Sequence, residues 1–312
     1  MHVFLTLFVK LLPIYVLIAV GYLAGKKLQV NKDSVSRVLI YIVAPVVVFN
    51  GVYITPLSLK TFALPAIFFV VCSLIAVSAY VLNCSVKPAS LRGILGFAAG
   101  TGNTGYFGLP VALALYGEHI TGLVIICTFG FILYENTVGF FLAARGKHSP
   151  KESIVKLLKL PALYAFVLGV LVHLLKLQLG GVYRDFVPNF RGAYVLLGSL
   201  IIGLALSEFS RAHAQWNVLA RSFSVRFIVW PAIISALILI DRHYFKIYSG
   251  NQDIYRVAFL MSIVPLAANT VAYATFLNAE PERAAFAVFS STIFALVYIP
   301  LAVSFVGPHL IG

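Results

Sequence analysis

The sequence predicts an all-α membrane protein whose chain crosses the bilayer ten times. Three observations carry that prediction. Of the 312 residues, 61% are hydrophobic and only 11% are charged, with a mean hydropathy of +0.98; soluble domains carry about 25% charged residues. The apolar residues fall into ten runs separated by polar punctuation, and most of these reach the roughly 20 residues that a helical crossing needs. Two of the ten runs, the fourth and the ninth, are interrupted at their centres by glycine or proline beside an Asn-Thr pair.

The first run, about 9–28, has Pro13 and Gly21 inside it and Lys26 and Lys27 after it. A secretory signal has its basic residues first, so this run is expected to stay as a spanning helix with its N-terminus outside. The second and third runs, about 35–54 and 61–82, each hold one proline, Pro45 and Pro65, which packed transmembrane helices tolerate. The fourth, about 91–115, contains Gly100-Thr101-Gly102-Asn103-Thr104-Gly105-Tyr106-Phe107-Gly108-Leu109-Pro110. Each glycine weakens a helix, and a proline removes a backbone donor. The helix is therefore expected to open here, with Gly100, Gly102, Gly105 and Pro110 holding it open. Gly100 to Gly105 also fits G-x-G-x-x-G. That fingerprint has meaning only between a strand and a helix of a βαβ unit, and the surrounding chain reads as membrane.

The fifth run, about 120–144, carries Glu135 and Asn136. A basic linker from Arg145 to Lys159 follows and divides the chain, giving an expected first half of 1–148 and a second of 149–312. The sixth run, about 160–177, is short. The seventh to tenth cover about 187–207, 217–240, 254–278 and 284–306. The ninth contains Pro265-Leu266-Ala267-Ala268-Asn269-Thr270-Val271-Ala272-Tyr273, and the tenth contains Ser290, Ser291 and Thr292.

Most of the 23 Lys and Arg residues gather in loops on one side of these runs, which marks that side as cytoplasmic and puts both termini outside. The formal net charge of +13 is thus a topology signal and does not point to nucleic acid. The three cysteines lie in or beside apolar segments at no ligand-like spacing, so neither a metal site nor a disulfide framework is expected. No cofactor is implied.

The halves repeat loosely. Pro13 and Gly21 match Pro161 and Gly169, and the Asn-Thr pair with a following Tyr recurs in the fourth run of each half. Five spans is an odd number, so the second half must enter from the opposite side. Inverted repeats with matched broken helices are the architecture of many secondary transporters, whose site lies near the midplane where the breaks meet.

Asn103-Thr104-Gly105-Tyr106-Phe107-Gly108-Leu109-Pro110, paired with Pro265-Leu266-Ala267-Ala268-Asn269-Thr270, resembles the auxin efflux carrier family, which includes the plant PIN proteins and many bacterial carriers. The short central linker is similar to the bacterial branch. The resemblance implies a fold like that of sodium/proton antiporters and bile acid symporters. There spans 1, 2, 6 and 7 form a scaffold, and spans 3–5 and 8–10 form a moving transport domain. Spans 4 and 9 cross at their breaks. It further implies small organic anions as substrates, dimers formed through the scaffold, and the cytoplasmic membrane as location.

A broken helix presents unpaired N–H groups and a positive dipole end, which accept an anion without a full opposing charge. Asn103, Thr104, Tyr106, Asn269 and Thr270 are the candidate substrate contacts, with Pro265 opening the second helix. Glu135 lies about 15 Å into its span from Arg145, where an ionisable group faces protein. Glu135 and Asn136 are thus candidates for binding a coupling proton or sodium ion. Ser291 and Thr292 are weaker candidates, since such hydroxyls usually join helices. Arg221 and Arg226 are expected to reach the cytoplasmic surface. Competing readings are a sodium-coupled symporter or a cation/proton antiporter of the same fold, and a channel. An intramembrane enzyme would need a catalytic cluster, and no such motif is present.

Overall fold

The computed structural model describes residues 2–144, 158–159, 161–207 and 216–311. The expected boundary at 148/149 and most of the basic linker lie outside them. The described residues form helices and connecting turns, with no strand. In chain order they are α1 His2–Leu28, α2 Lys32–Ile54, α3 Leu59–Leu82, α4 Ala89–Gly100, α5 Leu109–Tyr116 and α6 Glu118–Ala143. Then come α7 Pro161–Leu174, α8 Gly181–Ser207, α9 Leu219–Phe245, α10 Gln252–Ile263, α11 Asn269–Phe276, α12 Pro281–Phe305 and the short α13 Gly307–Ile311.

Seven of these helices are long and apolar enough to cross a membrane: α1, α2, α3, α6, α8, α9 and α12. The sixth run gives the shorter α7, of 14 residues. The fourth and ninth runs each give two short helices, α4 with α5 and α10 with α11, separated by non-helical backbone. Aliphatic side chains on the long helices point outward; Leu74 is 63% exposed and Ile228 65%. Such a surface suits lipid, which cannot satisfy an exposed polar group.

Local sequence explains where each helix stops. Val264 is extended, at φ −65° and ψ 155°, because the ring of the following Pro265 excludes the helical region for the residue before it. Thr101 is extended at φ −124° and ψ 164°. Pro110 falls in the first turn of α5 rather than in the gap. That helix follows directly on the π-helical turn Thr104–Gly108, and the Leu109 N–H bonds back to the Thr104 carbonyl. Ser58 caps α3 by accepting the Thr61 N–H.

The helices pack in adjoining pairs: α1 along α8, α2 along α7, α3 along α4 and α6, α9 on α10, and α11 on α12. The α1–α8 contact is backbone to backbone. A Cβ on Gly21 would strike the Leu200 carbonyl, and one on Gly203 would strike the carbonyl of Ile18. Small residues at such crossings let helices approach and gain dispersion energy. We therefore expect Gly203→Val to push α1 off α8 and to cost about 1–3 kcal/mol, the usual range for overpacking. Thermal unfolding in detergent measures this; an unchanged midpoint would show that the two helices are not held this closely.

Candidate functional site

The two non-helical stretches meet at the centre of the molecule. α4 ends at Gly100, Thr101 is extended, the chain turns tightly at Asn103 with the Thr104 N–H donating to the Gly102 carbonyl at 2.7 Å, and a π-helical turn over Thr104–Gly108 starts the second piece. Gly105 is part of that turn, not of the gap. α10 ends at Ile263, and α11 begins at Asn269. The Asn103 N–H donates to the Pro265 carbonyl at 2.8 Å, joining the two gaps through their backbones. Asn103 Oδ1 also accepts the Phe107 N–H at 3.2 Å, so Asn103 is the N-cap of its turn. In the second gap the Leu266 N–H donates to Ser291 Oγ of α12 at 3.1 Å. Thr292 only bonds back along its own helix, to the Val288 carbonyl at 2.8 Å.

Glu135 ties both gaps together. Its Oε1 accepts from the Thr101 hydroxyl, and its Oε2 accepts from Asn269 Nδ2 at 2.7 Å. Glu135 is 6% exposed and opens a π-helical turn, Glu135–Gly139, in α6. Such a bulge shifts the side-chain register of a helix and recurs at functional sites. Asn136 Nδ2 bonds to the Ile132 carbonyl, while its Oδ1 accepts from Tyr273 Oη at 3.3 Å.

Arg226 corrects the expectation that it reaches the surface. It is 0% exposed and lies against the gaps, in a π-helical turn of α9. Its guanidinium donates to the carbonyls of Val264 and Met261 and, at 3.5 Å, of Thr101. Four residues on, Trp230 Nε1 donates to the Ala99 carbonyl at 2.7 Å. Its ring centre lies 5.0 Å from the guanidinium carbon, within range of a cation–π attraction. These donors satisfy carbonyls at the C-terminal ends of α4 and α10, where the helix dipoles are negative. Gly102 makes room, since a Cβ there would sit 2.6 Å from the guanidinium. Arg221 does lie at the surface, where it bonds Asn83.

The opposite ends of the broken helices are arranged differently. Asn103, Thr104 and Gly105 at one N-terminal end, and Ala267, Ala268 and Asn269 at the other, line a single cavity of about 390 Å³. Glu135, Asn136, Tyr106, Tyr194 and Tyr273 add polar edges, and Val47, Val48, Ile125 and Phe129 form an apolar wall. Among the described residues, no Lys, Arg or His lines it. Its size and mixed lining suit a small organic molecule.

The structure thus brings Asn103, Thr104, Tyr106, Asn269, Glu135 and Asn136 into one cavity. Thr270 stands apart: it is 1% exposed, does not line the cavity, and its hydroxyl has no hydrogen-bond partner among the described residues. Gly100, Pro110, Pro265, Ser291 and Thr292 also lie outside the lining. The sequence reading passed over Thr101 and Arg226. An arginine well inside an apolar run, four residues before Trp230 and so on the same helical face, was the available signal.

Two smaller features lie away from this centre. Arg191 of α8 pairs with Glu118 at the start of α6, at 2.6 Å. Asp241, 9% exposed, accepts from the backbone N–H groups of Ile247 and Tyr248 at 2.9 Å and from the Tyr255 hydroxyl at 2.6 Å. That fastens the end of α9 to α10. Burial and the neighbouring Asp241 carboxylate raise the pKa of Tyr248 in the connecting loop.

Residues 6–153 match the family described as membrane transport protein. An uncharacterized transporter of Methanocaldococcus jannaschii is 26% identical over 309 residues, covering 93% of this chain and 96% of the relative. An uncharacterized transporter of Methanothermobacter thermautotrophicus is 24% identical over 302 residues, covering 93% of this chain and 95% of the relative.

Proposed function

We propose that this chain, whose residues 6–153 match the membrane transport protein family, is a secondary carrier of small organic anions working by alternating access. The observation that carries this reading is the asymmetry of the broken helices. Their carbonyl ends are covered by Arg226 and Trp230, whereas their N–H ends open onto a cavity without a cationic side chain. Half-helix N-termini hold a carboxylate through N–H groups and the positive dipole end. A neutral, donor-rich site binds the anion without trapping it, which suits a carrier.

In this reading Asn103, Thr104, Tyr106 and Asn269 contact the substrate. The apolar wall takes its hydrocarbon part. The two halves, 1–148 and 149–312, are inverted repeats of five spans each, with the broken helices as spans four and nine. The pairing of α1 with α8 and of α2 with α7 supports their role as the fixed scaffold. The direct contact between the gaps, Asn103 N–H to Pro265 carbonyl, supports a crossing that moves as one body. The expected surroundings are a lipid bilayer, with both termini outside and a homodimer formed through the scaffold.

A second reading has one observation in its favour. Glu135 is a carboxyl group in the cavity wall, as a cation exchanger or a sodium-coupled symporter would use. One screen separates the two. Purified protein is heated in detergent with mono- and dicarboxylates, with and without sodium. A carrier of organic anions is stabilised by at least one carboxylate, by about 2.7 kcal/mol at a hundredfold excess over Kd. Stabilisation by cations alone would replace the anion reading with cation exchange.

A further inference from the structure

We infer that the Glu135 carboxylate occupies the donor meant for the substrate's carboxylate, so that each anion enters together with one proton taken up by Glu135. This rests on the reading of the cavity as the carrier's binding site and names the partner ion of that site.

The geometry sets up a competition. Asn269 Nδ2, the side-chain donor at the N-terminal end of α11, already gives one of its two N–H groups to Glu135 Oε2 at 2.7 Å. The Thr101 hydroxyl holds the other oxygen. Glu135 itself lines the cavity beside Asn103 and Asn269. In its ionised form it sits at the donor an incoming carboxylate needs. Two carboxylates in one confined, poorly solvated site repel strongly, and one of them must be neutral.

Among the described residues no cationic side chain bonds Glu135 to relieve that repulsion. Cys72 of α3, Tyr134 of α6, Tyr106 before α5 and Tyr273 of α11 all stand within electrostatic range of Glu135, and they bring only thiol and hydroxyl groups. The nearest cation, Arg226 of α9, is reached through Thr101, whose carbonyl it bonds while the Thr101 hydroxyl bonds Glu135. Its Nε and Nη2 donate to the Val264 and Met261 carbonyls, and no Arg226 donor reaches Glu135 among the described hydrogen bonds. The compensating charge must come from solution.

A proton from water on the entry side binds Glu135 Oε2. The carboxyl is then neutral, Asn269 Nδ2 is released, and the new O–H can itself donate to the anion. On the exit side the anion leaves, the proton follows, and Glu135 takes Asn269 back. A monocarboxylate and a proton move together, so the step carries no net charge. The carboxylate is thereby a stopper that keeps the empty site from binding anions when protons are scarce.

Calorimetry of the purified full chain with acetate, butyrate and benzoate, in buffers of different ionisation enthalpy, tests this. About one proton is expected to be taken up per anion bound wherever Glu135 is ionised in the empty site, and over that range Kd is expected to weaken about tenfold per pH unit. Glu135→Gln is expected to bind the same anion with no proton uptake and no dependence on pH. Should that variant not fold, infrared difference spectra of the wild type serve instead: anion binding is expected to create a protonated-carboxyl band that shifts in heavy water. Anion binding without proton uptake or such a band overturns the inference and leaves the carrier reading standing. So does binding that follows sodium and ignores pH. Failure of every carboxylate to bind at any pH overturns the carrier reading as well.

Discussion

Arg226→Ala is expected to be the most destabilising single substitution in this chain. The guanidinium is fully buried and bonds carbonyls at the ends of two helix pieces, Met261 and Val264 on one side and Thr101 on the other. Without it, those carbonyls have no replacement donor in a dry interior, and the negative ends of two helix dipoles face each other uncovered. Trp230 would keep its bond to Ala99 but lose the cation beside its ring. Each buried carbonyl left without a donor costs about 1–3 kcal/mol, and three are affected together. Arg226→Lys is not expected to rescue it. A lysine ends in one ammonium group and cannot serve both gaps as the branched guanidinium does. Thermal unfolding of both variants in detergent, followed by size-exclusion chromatography, reads the effect. If Arg226→Ala unfolded at the wild-type midpoint, the idea that one cation holds both carbonyl ends would be wrong.

The second large effect is expected on transport, with folding largely spared. In the proposed site Asn103 and Asn269 offer side-chain amides to the substrate, yet each also has a structural bond. Asn103 caps its turn through Oδ1, and Asn269 donates to Glu135. Aspartate separates the two roles of Asn103. Asn103→Asp keeps a capping oxygen, and Asp caps a helix as well as Asn does. It also replaces the amide donor with a negative charge that repels an anion. Transport is expected to fall at least about a hundredfold, the equivalent of about 2.7 kcal/mol, with stability close to wild type. Asn103→Ala loses the cap too, which is worth about 1 kcal/mol. Asn269→Ala is expected to lose transport to a similar degree while leaving the Thr101–Glu135 bond in place. Uptake into proteoliposomes, paired with a melting curve for each variant, gives the answer. Wild-type transport by Asn103→Asp would remove Asn103 from the binding site and leave it a cap alone.

Some of this was legible in the chain because it depends on local chemistry. A run of Leu, Val, Ile and Phe with few charges has no other place than a helix in lipid, so the long helices follow from composition and spacing. Pro265 excludes the helical region for Val264 wherever that segment lies. The glycine-dense stretch around 100–108 weakens any helix through it. The resemblance to a family of carriers rests on the same short stretches. It agrees with the membrane transport protein match over residues 6–153 and with two archaeal transporters similar along nearly the whole chain.

Other residues changed meaning once the helices were packed. Asn103 and Asn269 sit in near-identical Asn-Thr pairs, but one caps its own turn and bonds the other gap, while the other reaches across to Glu135. Thr104 lines the cavity, whereas its counterpart Thr270 is sealed away from it. Pro110, next to the glycines in sequence, belongs to the helix that follows the gap.

What the sequence determined by itself is therefore the helical class, the approximate extents of the apolar runs, and the two places where regular helix gives way. Only the tertiary structure decided what stands opposite those places. It put Glu135 between Thr101 and Asn269, and it put Arg226 behind both gaps instead of at the membrane surface. The physical reason is range. A helix break is set by steric and hydrogen-bonding limits within a few residues. The partner of a buried charge is set by which faces of distant helices come together, and here π-helical turns at Thr104, Glu135 and Val225 shift those faces out of the register that a regular helix would give.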